Sequence, residues 1–215
     1  MTETPQLFFA SVDPDETGAH LLSADERRRR DRFTHMPSRR AFVTARQLLR
    51  KTLADLGGVD PSKLCFQTTD KGRPFLEPVP PTLGDLDFNL AHSHDLVALA
   101  TLRGGDVGVD VEPLERPLDY DLVAERFFSD QEIADLKRLS DDERHQRFLA
   151  LWVLKEAWLK ADGRGISAGL HRVVFRFQGG EPRLRALPDD DPGAWEVRLL
   201  QAHDHHVGVA FRVRV

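Results

Sequence analysis

Apolar side chains recur at helical spacing through the first quarter of the chain: Phe42, Ala45, Leu48, Leu49 and Leu53 fall on one stripe. That period predicts an amphipathic helix over 38–56, stopped by Gly57-Gly58. A capping box, Ser23-Ala-Asp-Glu26, starts a shorter basic helix before it. Two helices are expected further on, one over about 122–139 with a break near Ser129-Asp130 and one over about 142–161 that ends at Gly163-Arg-Gly165. The last is apolar on most sides (Phe148, Leu149, Leu151, Leu154, Trp158, Leu159), which predicts that it is buried. Short apolar or alternating runs predict strands at Leu7–Val12, Phe88–Leu90, Leu96–Leu102, Val107–Val111, Arg172–Phe177, Trp195–Gln201 and His206–Val213. Arg103-Gly-Gly-Asp106 reads as a hairpin turn between two of them, and Glu77–Leu83 and Leu114–Leu118 as proline-containing connections. Strands and helices do not alternate as βαβ units, so the expected class is α+β with antiparallel sheets. Each half reads as helices followed by strands, a duplicated architecture without a visible sequence repeat.

Composition adds limits. A chain of 215 residues, 40% hydrophobic and 30% charged, suits one large soluble domain or two small ones. No stretch approaches the roughly 20 apolar residues that span a bilayer. Met1–Gln6 is polar and Leu7–Ala10 is too short for a secretory h-region, so the expected location is cytoplasmic. Cys65 is the single cysteine, which excludes an intrachain disulfide. The net charge of −5 argues against a dedicated nucleic-acid binder. That average hides a basic segment, Arg27 to Lys51, with ten basic residues and one acid, Asp31.

Against this background a few polar residues stand out. In Gly108-Val-Asp-Val-Glu112 strand alternation points Asp110 and Glu112 to the same face. Two like charges on a mostly apolar strand belong either to a solvent-facing surface or around a cation. In Trp152-Val-Leu-Lys-Glu-Ala-Trp-Leu-Lys160 helical spacing stacks Trp152, Glu156 and Lys160 one turn apart, with Lys155 beside them. An ordinary surface Glu–Lys pair would look the same, but the apolar surroundings disfavour it. His92, in Phe88-Asn-Leu-Ala-His-Ser93, follows a short strand, where a loop would aim it into a cleft. Lys71-Gly-Arg-Pro74 is a basic turn. Together they suit phosphate chemistry: three carboxylates from two segments for a hard cation, and lysines, a histidine and arginines for the remaining anionic charge.

The order of these motifs resembles the 4′-phosphopantetheinyl transferase superfamily, specifically its larger Sfp-like (surfactin-synthetase-activating) group. Lys71-Gly-Arg-Pro74, Phe88–Ser93, Gly108–Glu112, Arg126-Phe-Phe-Ser129, Trp152–Lys160 and Gly163-Arg-Gly-Ile-Ser167 occur in the family's sequence. The resemblance implies a pseudo-dimeric α+β fold of two similar halves, here 1–106 and 107–215, with the site in the cleft between them. It implies coenzyme A as donor and a serine of an acyl or peptidyl carrier protein as acceptor, giving holo-carrier and adenosine 3′,5′-bisphosphate. By position it implies Asp110, Glu112 and Glu156 as ligands of Mg²⁺, with Mn²⁺ as the other choice. His92, Lys155 and Lys160 take the phosphate-contacting positions, and Arg73 stands toward the adenosine end. Arg39, Arg40 or Arg46 is then left for the 3′-phosphate. The chain departs from the pattern at Ala91, where serine is frequent, and at Arg73, where lysine is.

The implied mechanism makes Glu156, directly or through a water, the base for the carrier serine, with Lys160 and His92 on the leaving phosphate. A monomer is expected, since one chain supplies both halves. Two other classes use the same residues: a Mg²⁺-dependent phosphohydrolase that needs no carrier, and a non-enzymatic anion- or RNA-binding module built on Arg27–Lys51. The carrier and its pathway, whether fatty-acid, polyketide, peptide or lysine biosynthesis, stay open.

Overall fold

A computed structural model describes residues 4–116, 119–165 and 169–214. Leu118, at the end of the expected connection, and Ile166-Ser167, at the end of the last motif, lie outside the described residues. The chain builds β1 (Gln6–Ser11), α1 (Ala24–Asp31), α2 (Met36–Gly57), a small hairpin of β2 (Phe66–Thr68) and β3 (Pro74–Leu76), then β4 (Leu86–Ser93) and β5 (Leu96–Arg103). It continues with β6 (Gly105–Pro113), α3 (Tyr120–Phe127), α4 (Asp130–Leu136), α5 (Asp141–Asp162), a second hairpin of β7 (Val174–Gln178) and β8 (Glu181–Ala186), and finally β9 (Glu196–Ala202) and β10 (His205–Val213).

Local chemistry sets the helix limits. Pro37 lies in the first turn of α2, where no amide is needed, and left-handed Gly58 (φ 61°) ends it. The Ser23–Glu26 box starts α1. Ser129 breaks α3 from α4 because its side chain and Glu132 form a second box. A third, Ser140 with Glu143, starts α5, which stops at left-handed Gly163 (φ 78°).

Two three-stranded antiparallel sheets follow, ordered β1-β5-β4 and β6-β10-β9. The order is the same element for element: opening strand, helices ending in one of 22 residues, a two-stranded hairpin, and two closing strands with the last in the centre. The match reaches single atoms. Each closing hairpin turns on a His-Asp pair with the histidine left-handed: His94 (φ 55°) before Asp95, and His203 (φ 52°) before Asp204. The Val12 amide then donates to Asp95 O at 2.7 Å, and the Leu114 amide to Asp204 O at 2.9 Å. The fold is therefore α+β and pseudo-dimeric.

The expected hairpin at Arg103–Asp106 does not form. β5 already pairs with β1 and β4, so it has no free edge for β6, which pairs with β10 instead. The chain crosses between sheets at left-handed Gly104 (φ 61°). The sheets meet face to face in a shared core of Ala98, Ala100, Val107, Val109, Val111, Val207 and Val209, all at most 1% exposed. Side chains of β4 also cap the open edge of β6: Asp87 Oδ2 accepts from the Val107 amide at 2.9 Å and Asn89 Oδ1 from the Val109 amide at 3.1 Å. Behind β6 and β10 lies α5, at backbone contact. A Cβ at Gly108 would strike the Ala157 carbonyl and the Ala161 amide, and one at Gly208 the Val153 carbonyl.

Candidate active site

The close approach of α5 to β6 sets the geometry of the site. Val107, Val109 and Val111 fill the core between the sheets, so Asp110 and Glu112 turn to the other face, the one Gly108 presents to α5. From α5, Lys160 donates to Asp110 Oδ1 at 2.6 Å and to Val109 O at 3.3 Å. Asp110 is only 8% exposed. Its other oxygen, Oδ2, and Oε1 of Glu156 are buried without a hydrogen-bond partner in the protein. Glu112 accepts from Ser93 Oγ at 3.0 Å and from Arg116 Nη1 at 2.5 Å.

These carboxylates share one electrostatic environment. Burial raises the Asp110 carboxyl above the ordinary range, with Lys160 opposing. Burial raises Glu156 too, and the negative charges of Asp110 and Glu112 add to it. Glu112 is raised by burial, with Arg116 opposing and Asp110 adding. Three carboxylates that burial and mutual repulsion hold toward neutrality call for a cation. Two unpartnered buried oxygens fit a hard divalent ion, which takes oxygen ligands. Among the described residues no group of three or more His, Cys, Asp or Glu side chains is placed to hold a metal ion; Lys160 occupies one oxygen of Asp110, and Ser93 and Arg116 hold Glu112. The donor chemistry, carboxylate oxygens with two left unpartnered, is that of a hard cation.

His92 is the penultimate residue of β4, not part of a loop beyond it. It stands exposed at the rim, yet the surrounding protein desolvates the ring enough to hold its pKa below the ordinary value, with Lys160 adding and Asp110 opposing. It lines a hollow of about 590 Å³ together with Ser38 and Arg40, and the buried Nε of Arg40 has no hydrogen-bond partner. Glu156, Lys160, Asn89, Lys71 and Arg73 line another of about 430 Å³. Ser93, Glu112 and Arg116 line a third of about 770 Å³. Ser93 lines both the hollow with Glu112 and the one with His92, so those two hollows adjoin.

The structure does not bring every expected residue there. Lys155 is fully buried on another side of α5, paired with Glu132 at 2.9 Å and donating to the Leu170 and Val173 carbonyls. Burial lowers its pKa, and Glu132 works against that. No substrate phosphate can reach it, so its expected phosphate contact is withdrawn. Arg46 is likewise turned inward, 7% exposed, against Phe42, Phe66 and Glu26, and Arg39 pairs with Glu16 at 2.8 Å. Sequence reasoning missed Asn89, Ser93 and Arg116. Asn89 and Ser93 were visible inside the Phe88–Ser93 motif, two and six residues from Asp87, at the spacing of a strand face.

A family model described as the 4′-phosphopantetheinyl transferase superfamily matches residues 106–210, and one described as 4′-phosphopantetheinyl transferase, N-terminal, matches residues 15–103. The chain is 35% identical to the 4′-phosphopantetheinyl transferase HetI of a Nostoc species over 190 residues, 88% of this chain and 77% of that protein. The chain belongs to the 4′-phosphopantetheinyl transferase superfamily. It is also 30% identical to the 4′-phosphopantetheinyl transferase Sfp of Bacillus subtilis, over 90% of this chain and 88% of that one. Among solved structures it resembles the holo-[acyl-carrier-protein] synthase of Thermotoga maritima at 25% identity and a TM-score of 0.42, covering 51% of this chain and 64% of that one. It is thus a phosphopantetheinyl transferase of the Sfp-like group, an enzyme that modifies carrier proteins with coenzyme A as the donor substrate. None of these matches supports the phosphohydrolase or the RNA-binding alternative.

Proposed function

We propose that the hollows around the carboxylates, where the two halves meet, hold coenzyme A, and that Asp110, Glu112 and Glu156 would bind a divalent cation, Mg²⁺ or Mn²⁺, against its pyrophosphate. The observation that carries this is the pair of buried, unpartnered oxygens on Asp110 and Glu156, with Lys160 on the other oxygen of Asp110. When bound, the ion supplies positive charge to a group that is strongly anionic. The protein's own residues do the rest. Lys160 turns from Asp110 to the donor phosphate, and His92 and Arg40, on one hollow, bind its remaining anionic charge. The serine hydroxyl of the carrier attacks the phosphorus next to pantetheine. The new Oγ–P bond forms as the bridging P–O bond breaks, and its electron pair leaves with adenosine 3′,5′-bisphosphate. Glu156 takes the serine proton, directly or through a water.

For the acceptor, α3 presents Leu122, 67% exposed, and exposed Arg126, whose guanidinium lies over Phe127 at 5.2 Å. Phe127 meets Trp152 edge-on at 5.9 Å, and Trp152 stands one turn before Glu156. Leu122 and Arg126 offer a carrier one apolar contact and one cation near the base, beside exposed Asp121 and Glu125. No helix among the described residues is long and apolar enough to cross a membrane, and the reading is of a monomer acting in the cytoplasm.

Glu156→Gln is expected to abolish the mass increase of an apo-carrier incubated with coenzyme A and Mg²⁺, read by intact-mass spectrometry, with its melting temperature retained. Normal modification by that variant would remove Glu156 from the chemistry. Charge steering of the carrier predicts that its KM rises with ionic strength, and Arg126→Ala is expected to flatten that slope.

A further inference from the structure

Besides Lys160, the hollow beside Glu156 is lined by two basic residues that are already engaged. Arg73 Nη1 donates to the Lys160 carbonyl at 2.7 Å. Its Nη2 faces both oxygens of Asp87 at 2.8 and 2.9 Å and Phe88 O at 2.9 Å. Asp87 in turn accepts from the Val107 amide at 2.9 Å. Lys71, two residues earlier, donates to Gly163 O at 2.9 Å and to Arg164 O. One short turn of the first half thus binds three carbonyls at the C-terminal end of α5 and, through Asp87, the open edge of β6. Helix C-termini leave carbonyls unsatisfied and carry partial negative charge, and here the other half of the molecule supplies the cations. Lys160 is held at both ends: its carbonyl by Arg73, its ammonium by Asp110.

We infer that the Lys71–Arg73 turn is a clasp between the halves that sets α5 on β6, and that Arg73 is a positioning residue for Lys160 and Glu156 rather than a contact to coenzyme A. The inference rests on the roles proposed above for those two residues. A planar fork can serve Lys160 O and Asp87 together; a lysine in its place keeps the charge but not the fork.

Steady-state kinetics with saturating carrier separates the roles. Arg73→Lys is expected to lower kcat about tenfold or more, as misplacement of reacting groups does, with KM for coenzyme A nearly unchanged and Arg73→Ala no worse. Combined with Asp87→Ala, the Arg73→Ala loss is expected to be non-additive. A raised KM for coenzyme A at unchanged kcat, rescued by Arg73→Lys, would make Arg73 a substrate contact and overturn the clasp. If the Arg73 variants melt below assay temperature, Lys71→Met decides, since Lys71 is exposed. It is expected to lower kcat in the same sense by a smaller factor, and an unchanged kcat there overturns the inference. Full activity of Glu156→Gln would instead strike the proposed role of Glu156 and leave the clasp's effect on kcat standing.

Discussion

Lys155 and Lys160 lie on the same helix and have opposite fates. Five residues at 3.6 per turn place them about 140° apart around the axis, so a helix that aims Glu156 and Lys160 at β6 must aim Lys155 elsewhere. That much was legible in the sequence and outweighs the motif that named both lysines. What was not legible is the partner: Glu132, 43 residues from Phe175, accepts from its amide at 3.0 Å and from Lys155 at 2.9 Å. A fully buried pair is costly to break. Lys155→Met is expected to cost about 3–5 kcal/mol in chemical denaturation, because Glu132 is left buried and unpaired. Adding Glu132→Gln should recover part of it. Protein that stays folded should keep its KM for coenzyme A; a raised KM with unchanged stability would return Lys155 to the site.

At the scale of elements, Gly108 explains why the strand motif opens with glycine. Its missing side chain is the space that the backbone of α5 occupies. Gly108→Ala is expected to destabilise by roughly 1–3 kcal/mol, as overpacking does, and to lower turnover by more than the unfolded fraction accounts for; equal turnover per folded molecule would argue against backbone contact as the setting of the site. Periodicity identified the long helices and the core strands because their faces are strongly sorted. It missed β2, β3 and β8, which are short and largely exposed, so they carry little alternation to read. It also ended one strand too early: Ala91 is buried but His92 is exposed, and β4 runs on through both. The hairpin expected after β5 was wrong for a reason no local pattern contains, namely that both edges of β5 were already taken by β1 and β4.

For the molecule as a whole, two histidines join its parts. His205 Nε2 faces Ser93 O of the other half at 3.2 Å, and His206 Nε2 faces Gln146 Oε1 on α5 at 2.9 Å. Burial lowers the pKa of both from 6.5; Asp95 opposes this at His205, while His145 adds to it at His206. A base whose folded pKa is depressed stabilises fully above its unfolded pKa and loses that contribution as pH falls below it. The melting temperature is therefore expected to decline below about pH 6.5, and His205→Gln with His206→Gln to flatten that decline; an unchanged slope would assign it to other groups. The duplication was only half visible in the sequence, as a similar run of helices and strands. It is recorded in hydrogen-bond wiring, which tolerates different side chains, and the one shared pair of letters is the His-Asp of the closing turns. That wiring also fixes which residues correspond. Matching Val12 to Leu114 places Phe8 and Ala10 where the second half has Asp110 and Glu112, and matching Gly58 to Gly163 places Lys51 opposite Glu156. The architecture is written twice and the chemistry once, so calorimetric titration with coenzyme A should saturate at a single equivalent per chain.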